Sequence, residues 1–312
     1  DARYAGTSGP GIAKGLIMNP DSKQNQSMLA AARTSLLEEL VETGTLSIST
    51  SGVASNADSS SKASCAIALQ IARTLNARIG SKIPGQSAGA IFENAVAGFV
   101  RETFPKMRST RPGNWHVHTV GNSRRGSHVD QFEPYRHLAD LADAVNETPQ
   151  LAAALGNSYT ISPDILVSRA ALSDDELNAD GPLVDSGTAL SSPIRAENYH
   201  PPAELLHAVI SCKFTMRSDR AQNTRAEALN LIRNRKGRAP HIVAVTAEPL
   251  LPRIASLALG TGDIDMVYHA ALPELTAAVQ QVGSEEANEL LEMLTSGNRL
   301  RDLTDLPIDL IA

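Results

Sequence analysis

Four short runs rich in β-branched and other apolar residues constrain the fold of this chain more than any other feature. They are Asp164-Ile-Leu-Val, Ala208-Val-Ile-Ser-Cys-Lys-Phe-Thr, His241-Ile-Val-Ala-Val-Thr and Ile264-Asp-Met-Val-Tyr, each bounded by turn residues. Such runs read as short core strands. A stretch with helical spacing, from about Asp219 to Arg233, separates the second from the third. Strands interleaved with helices predict an α/β fold, a mixed β-sheet flanked by helices on both faces. Trp115 to Val120 alternates and adds a candidate strand. Upstream, 3.6-residue spacing predicts helices from Ser27 to Val41, through Ala68, Ile71 and Leu75 to about Gly80, and from Ala88 to Phe104. Residues 134–155 read as helical with a break at Pro149, and 172–202 as an insertion loop. The C-terminal third reads as ending in two short helices. Residues 1–27, rich in Gly, Ser, Asn and Pro, read as an N-terminal arm, and 28–312 as a single domain.

Composition excludes several classes. With 42% hydrophobic and 20% charged residues among 312, the chain can build a core and is not disordered as a whole. Two cysteines, Cys65 and Cys212, exclude a disulfide scaffold and a Cys-rich zinc module, and suit a reducing compartment. No apolar run approaches the roughly 20 residues of a membrane-spanning helix. The opening DARYAGTSGP lacks the order of a signal peptide, so a cytoplasmic protein is expected. A formal charge of −6 argues, taken alone, against a nucleic-acid partner. The charge is unevenly spread, however. Between Lys213 and Arg238 eight basic residues face only Asp219 and Glu227, and seven basic residues lie between Arg101 and Arg136. An acidic body with concentrated basic segments can bind a polyanion on one face and repel it elsewhere; a solvated basic helix face would look the same.

Three constellations carry possible chemistry. Gly85-Gln-Ser87-Ala-Gly89 fits the G-x-S-x-G elbow of serine hydrolases, but Ile-Gly-Ser-Lys-Ile-Pro before it is a poor buried strand. It reads instead as a helix-starting turn whose small residues admit a close approach. His116-Val-His118 puts two imidazoles on one strand face, yet no third ligand sits at a telling spacing. A polar sheet face or a phosphate contact is the expectation there. The third constellation is stronger. Pro163-Asp164 opens one apolar strand, and forty-six residues lie between Asp164 and Ser211, which begins Ser211-Cys212-Lys213 on the next. Ser211 and Lys213 share a face and Cys212 points the other way. If the strands pair, Asp164 and Lys213 meet at one edge. Glu227 follows on the helix, about 10 Å along the axis from Arg220. A plain Asp164–Lys213 ion pair is the structural alternative.

Phosphodiester hydrolysis needs an activated water, relief of charge on the phosphorane and a stabilised leaving oxygen. Mg²⁺ on hard oxygen ligands supplies these. Asp164, Glu227 and the Cys212 backbone carbonyl are the candidate ligands, with the Lys213 ammonium beside the scissile phosphate. Ser211 is neutral and cannot replace an acid, but its hydroxyl can hydrogen-bond a water beside the ion.

Pro163-Asp164 … Ser211-Cys212-Lys213 resembles the PD-(D/E)-x-K nuclease motif, with Ser211 where the common pattern has an acid. A subset of type II restriction endonucleases that cut sites with a CCGG core shares this departure and carries the missing acid on the next helix, where Glu227 stands. The block from Ser211 to Glu227 is closely similar to the NgoMIV-like group of these enzymes. So are Leu229 to Arg238, Val245-Thr-Ala-Glu-Pro, Ala258-Leu-Gly-Thr-Gly-Asp, Ser55-Asn-Ala-Asp58 and Leu303 to Leu310. The resemblance implies a restriction-endonuclease-like core of the PD-(D/E)-x-K superfamily in a prokaryotic cytoplasm. It implies catalytic and metal-holding roles for Asp164, Lys213 and Glu227, and a further active-site acid in Glu93. Arg217, Asp219 and Arg220 match residues that read CCGG in the major groove, and Asp58 and Gln86 match contacts to the outer base pair, favouring GCCGGC. Side-chain chemistry agrees, since arginine pairs bidentately with guanine and a carboxylate accepts from cytosine N4. The resemblance further implies Mg²⁺, 5′-phosphate products and a homodimer, assembled into a homotetramer on two double-stranded DNA copies. The rivals are a PD-(D/E)-x-K repair or recombination nuclease without base specificity, and a DNA-binding protein that does not cut.

Overall fold

The computed structural model describes residues 26–120, 129–155, 161, 163–216, 218–260 and 262–312, with the backbone alone at 149, 152 and 218–221. Three helices come first, α1 (Met28–Glu42), α2 (Lys62–Thr74) and α3 (Gly85–Thr103). Ser27 and Ser61 cap the first two by accepting from the backbone amides of Ala30 and Ser64. The middle of the chain holds β1 (Trp115–Thr119), β2 (Phe132–Glu133), α4 (His137–Glu147), α5 (Pro149–Leu155), β3 (Ile165–Ala170), α6 (Asp174–Leu177), β4 (Glu204–Lys213) and α7 (Ser218–Asn234). Then follow β5 (His241–Thr246), α8 (Leu251–Ala258), β6 (Met266–His269), α9 (Leu272–Val282), α10 (Glu285–Ser296), β7 (Leu300–Asp302) and α11 (Leu306–Asp309).

The strands form one mixed sheet in the order β1-β3-β4-β5-β6-β7, with β2 beside the start of β4. β3 runs antiparallel to both of its neighbours, β1 and β4, while β4, β5, β6 and β7 run parallel. Residues 206–211 of β4 and 242–246 of β5 are buried without interruption. A central strand reads that way only when both faces are covered, here by helices. One continuous apolar cluster runs from Ala32 in α1 to Leu310 at the end of α11. The α/β architecture with a mixed sheet flanked by helices is therefore as the sequence pattern predicts.

Several boundaries differ from expectation. α2 stops at Thr74, not near Gly80, because Asn76 adopts φ 55° and the Ala77 amide turns back to the Ala72 carbonyl at 2.8 Å. β4 begins at Glu204, four residues before its apolar run, because that segment pairs with both β3 and β2. The C-terminal third also hides a strand: β7 is three residues long and includes Arg301 and Asp302, so it leaves no apolar run to detect. The expected arm at 1–27 lies, apart from residues 26 and 27, outside the described residues.

Two histidines are built into the core as neutral groups. His207 on β4 is stacked on Phe104 at 5.6 Å, and its Nε2 lies 2.7 Å from the Leu310 carbonyl. His269 at the end of β6 is 1% exposed and accepts from the Ala271 amide at Nδ1. Burial pushes both imidazoles down to about 4. In the unfolded chain they protonate near the ordinary value, so the unfolded state binds more protons between roughly pH 6.5 and 4. Stability from these groups is full above that window and is lost as pH falls through it. Urea unfolding should thus lose about 1–2 kcal/mol per histidine between pH 6.5 and 5. His269→Gln should flatten that slope whatever it does to the stability at pH 7.5; an unchanged slope would show that His269 is already charged in the native protein.

Candidate active site

Antiparallel pairing of β3 with β4 matches Ile165 to Ile210, so Asp164, one residue ahead of β3, comes to stand beside Ser211 and Cys212. The Asp164 Oδ2 atom accepts the Cys212 backbone N–H at 2.6 Å and the Lys213 ammonium at 2.9 Å. Lys213 also donates to the Ser211 hydroxyl at 3.2 Å. The meeting of Asp164 and Lys213 at one edge, expected if the strands paired, is what the fold produces. Behind the cluster, Thr246 on β5 donates to the Lys213 carbonyl at 2.7 Å and so holds the end of β4 against its neighbour.

The electrostatics extend the cluster to two further acids. Burial disfavours the Lys213 ammonium, but the charge and hydrogen bond of Asp164, with a smaller contribution from Glu227, hold its pKa above the ordinary lysine value. The Cys212 thiol is pushed well above its usual range, mainly by burial and further by the charges of Asp164 and Glu93. Cys212 is thus a neutral thiol and no nucleophile. Glu93 on α3 lies within electrostatic reach of Cys212, and Glu227 on α7 within reach of Lys213. α3 brings Glu93 there because Phe92, next to it, packs on Phe214 at 5.6 Å just past the end of β4. α7 is anchored by Arg225, which donates to the buried Asp263 at 2.8 Å, and by its Leu231 carbonyl, which accepts from Tyr135 at 2.9 Å.

A pocket of about 220 Å³ opens onto Cys212 and Lys213, lined also by Lys82, Gly85 and Gly89. A Cβ at either glycine would meet nothing within 4 Å, so the small residues leave open space beside the cluster. Ser87 stands exposed in the first turn of α3, with no strand leading into it. The helix-starting turn is therefore the right reading of the G-x-S-x-G pattern, and an elbow is not formed.

The candidate base-reading residues are placed unevenly. Arg217 lies outside the described residues, and Asp219 and Arg220 fall in the first turn of α7, where only the backbone is described. Gln86 is exposed at the start of α3. Asp58 accepts from the Ser60 amide and hydroxyl and pairs with Arg253. Those bonds, the Ser60 pair first, hold its carboxyl below the usual range.

Sequence reasoning missed two residues. Glu248, fully buried after β5, accepts the Met216 amide at 2.7 Å and the Leu250 amide at 3.1 Å. Arg253 on α8 donates to the Met216 carbonyl at 2.8 Å while pairing with Asp58. The residue just before Arg217 is thus gripped at both its amide and its carbonyl. An acid directly after a wholly apolar strand, in Thr246-Ala-Glu248-Pro, was the signal available.

A family model described as NgoMIV restriction enzyme matches residues 36–312. Type II restriction enzyme NgoMIV from Neisseria gonorrhoeae is 48% identical over 274 residues, covering 88% of this chain and 95% of that protein. Among solved structures, a complex of restriction endonuclease PspGI with substrate DNA matches over 93% of each chain at 12% identity, with a TM-score of 0.26, too loose a superposition to carry an argument. With most of its length matched at nearly half identity, the chain belongs to the NgoMIV family of type II restriction endonucleases.

Proposed function

We propose that this enzyme, with residues 28–312 acting as one domain, hydrolyses double-stranded DNA at a palindrome with a CCGG core, most specifically GCCGGC. The observation that carries this reading is the junction at Asp164 Oδ2, where a carboxylate, a backbone amide and an ammonium converge at the open ends of two paired strands. The donor set suits Mg²⁺: Asp164, Glu227 and the Cys212 carbonyl are hard oxygen ligands, and both bonds to Asp164 fall on one of its two oxygens. When bound, such an ion offsets charge on the phosphate oxygens and favours ionisation of the attacking water.

The chain's own residues then divide the work. Lys213, kept protonated by Asp164, faces the scissile phosphate and neutralises developing charge. Ser211 orients the ammonium and the water beside it. Glu93 supplies a further acid. Arg217, Asp219 and Arg220 read the CCGG core, and Gln86 and Asp58 contact the outer base pair. Asp58 can do so without leaving Arg253, because a carboxylate has about four acceptor sites and three bonds are formed here. Arginine and aspartate on one short segment suit G·C pairs. A palindromic site calls for two-fold symmetry, and a dimer, paired back to back into a tetramer on two DNA copies, meets it. The products are 5′-phosphate and 3′-hydroxyl ends with 5′ overhangs.

Digestion of a sequenced plasmid with and without GCCGGC sites tests the proposal. Cutting in Mg²⁺ at those sites alone, mapped by end sequencing, supports it; random nicking of both plasmids points to an unspecific nuclease, and no cutting at any concentration points to a binding protein. Asp164→Asn and Lys213→Ala should each abolish cutting while cognate binding in Ca²⁺ persists, read by gel shift with circular dichroism as the check on folding. Arg220→Ala should weaken cognate binding by about 1–3 kcal/mol and spare unspecific affinity. Unchanged discrimination in that variant would move the reading segment elsewhere.

A further inference from the structure

His116 and His118 gain, in the folded chain, the third partner that their own neighbourhood lacks. It is Glu204, at the opening of β4, two strands across from β1. The His116 Nδ1 atom lies 3.0 Å from Glu204 Oε1, and the His118 Nε2 atom lies 3.4 Å from Oε2. One ligating atom from each residue falls within 4.8 Å of the other two, the one such group of histidine, cysteine and carboxylate side chains among the described residues. Around zinc, with bonds of about 2.0–2.2 Å in a tetrahedron, ligand atoms stand roughly 3.3–3.5 Å apart. The two nitrogen–oxygen distances already lie near that spacing.

The surroundings also suit an ion. Ser168, on the strand between, donates to Glu204 Oε2 at 2.5 Å and sits 2.9 Å from His118 Nε2. The Ser168 hydroxyl thus holds the Glu204 carboxylate turned toward the two imidazoles. Phe132 packs against the His118 ring at 5.4 Å and fixes its tilt. The imidazoles remain 38% and 37% exposed, which leaves room for water in a fourth position. The group shares no residue with the Asp164–Lys213 cluster. On its near side His118 pairs with Leu166, two residues from Asp164, and on its far side Glu204 lies eight residues along β4 from Cys212, about 26 Å of strand. The chemistry differs as well. Two imidazole nitrogens and one carboxylate favour zinc and its transition-metal neighbours over the magnesium that an all-oxygen set prefers.

We infer that His116, His118 and Glu204 form a binding site for a zinc-class ion, which clips the edge strand β1 to β4 across β3. The alternative, a hydrogen-bonded polar patch, uses the same contacts and binds no metal. Tag-free, chelator-treated protein carrying Asp164→Asn, which disables the other cluster, should bind one equivalent of Zn²⁺ with micromolar affinity or tighter by calorimetry. Co²⁺ in its place should give the visible bands of a four-coordinate site. His116→Ala, His118→Ala and Glu204→Gln, each checked by circular dichroism, should each weaken Zn²⁺ binding by more than the roughly 10–100-fold that changing a ligand's hydrogen-bond partner costs. In a chain with Asp164 intact, His118→Ala should keep its Mg²⁺-dependent nuclease activity, which separates this site from the nuclease reading. No Zn²⁺ binding in the Asp164→Asn protein, or binding that survives all three ligand changes, overturns the inference.

Discussion

A single carboxylate oxygen joins the two strands on which the site is built. Asp164 precedes β3, and its Oδ2 accepts from the backbone of one strand-end residue and the side chain of the next. The hydrogen bond from the Cys212 backbone N–H to the Asp164 side chain ties the strands together just past the last regular β3–β4 pair, so pairing and chemistry meet in one group. The ammonium of Lys213 is only partly covered, with 20% of its side chain exposed, and is stable there because the carboxylate offsets its lost hydration. Without Asp164 the lysine would lose the carboxylate that accepts its hydrogen bond. The ion pair that served as the plain structural alternative is thus present, and the same atoms can serve both ends.

Around that junction each element contributes one thing. The parallel half of the sheet supplies a rigid floor, with Thr246 bonded to the Lys213 carbonyl. α3 brings an acid on one side, held by the packing of Phe92 on Phe214. α7 brings another, held through Arg225 and Asp263. The basic window that stood out against an acidic chain therefore does more than attract a polyanion, since at least Arg225 is spent on holding the helix in place.

Much of this was legible before folding. Alternation alone put Ser211 and Lys213 on one face, and the paired apolar runs brought Asp164 to them, because period-2 geometry is local and strict. Helical spacing offered Glu227 from the following helix, and the run of residues matching a known enzyme group went further, to Glu93, which no spacing argument could have joined to the lysine from another element. What stayed hidden was of another kind. Glu204 meets His116 and His118 only because β3 is inserted between their strands, so the trio is a product of sheet order and no pattern in the chain announces it. Glu248 and Arg253 act through the backbone of Met216, which any residue possesses, and so leave no side-chain signature at the position they hold. β7 was missed because three residues at a sheet edge need no apolar run.

The double grip on Met216 bears on how such a protein can diversify. The segment that begins with Arg217 follows Met216, a point clamped by Glu248 and Arg253 three residues from Lys213. If that segment inspects the sequence while the strand end cleaves, the offset between inspection and scission is hard-wired into covalent geometry. Lineages descending from this scaffold can then exchange the letters they prefer by swapping side chains, whereas shifting the cleavage point would demand rebuilding the anchor itself.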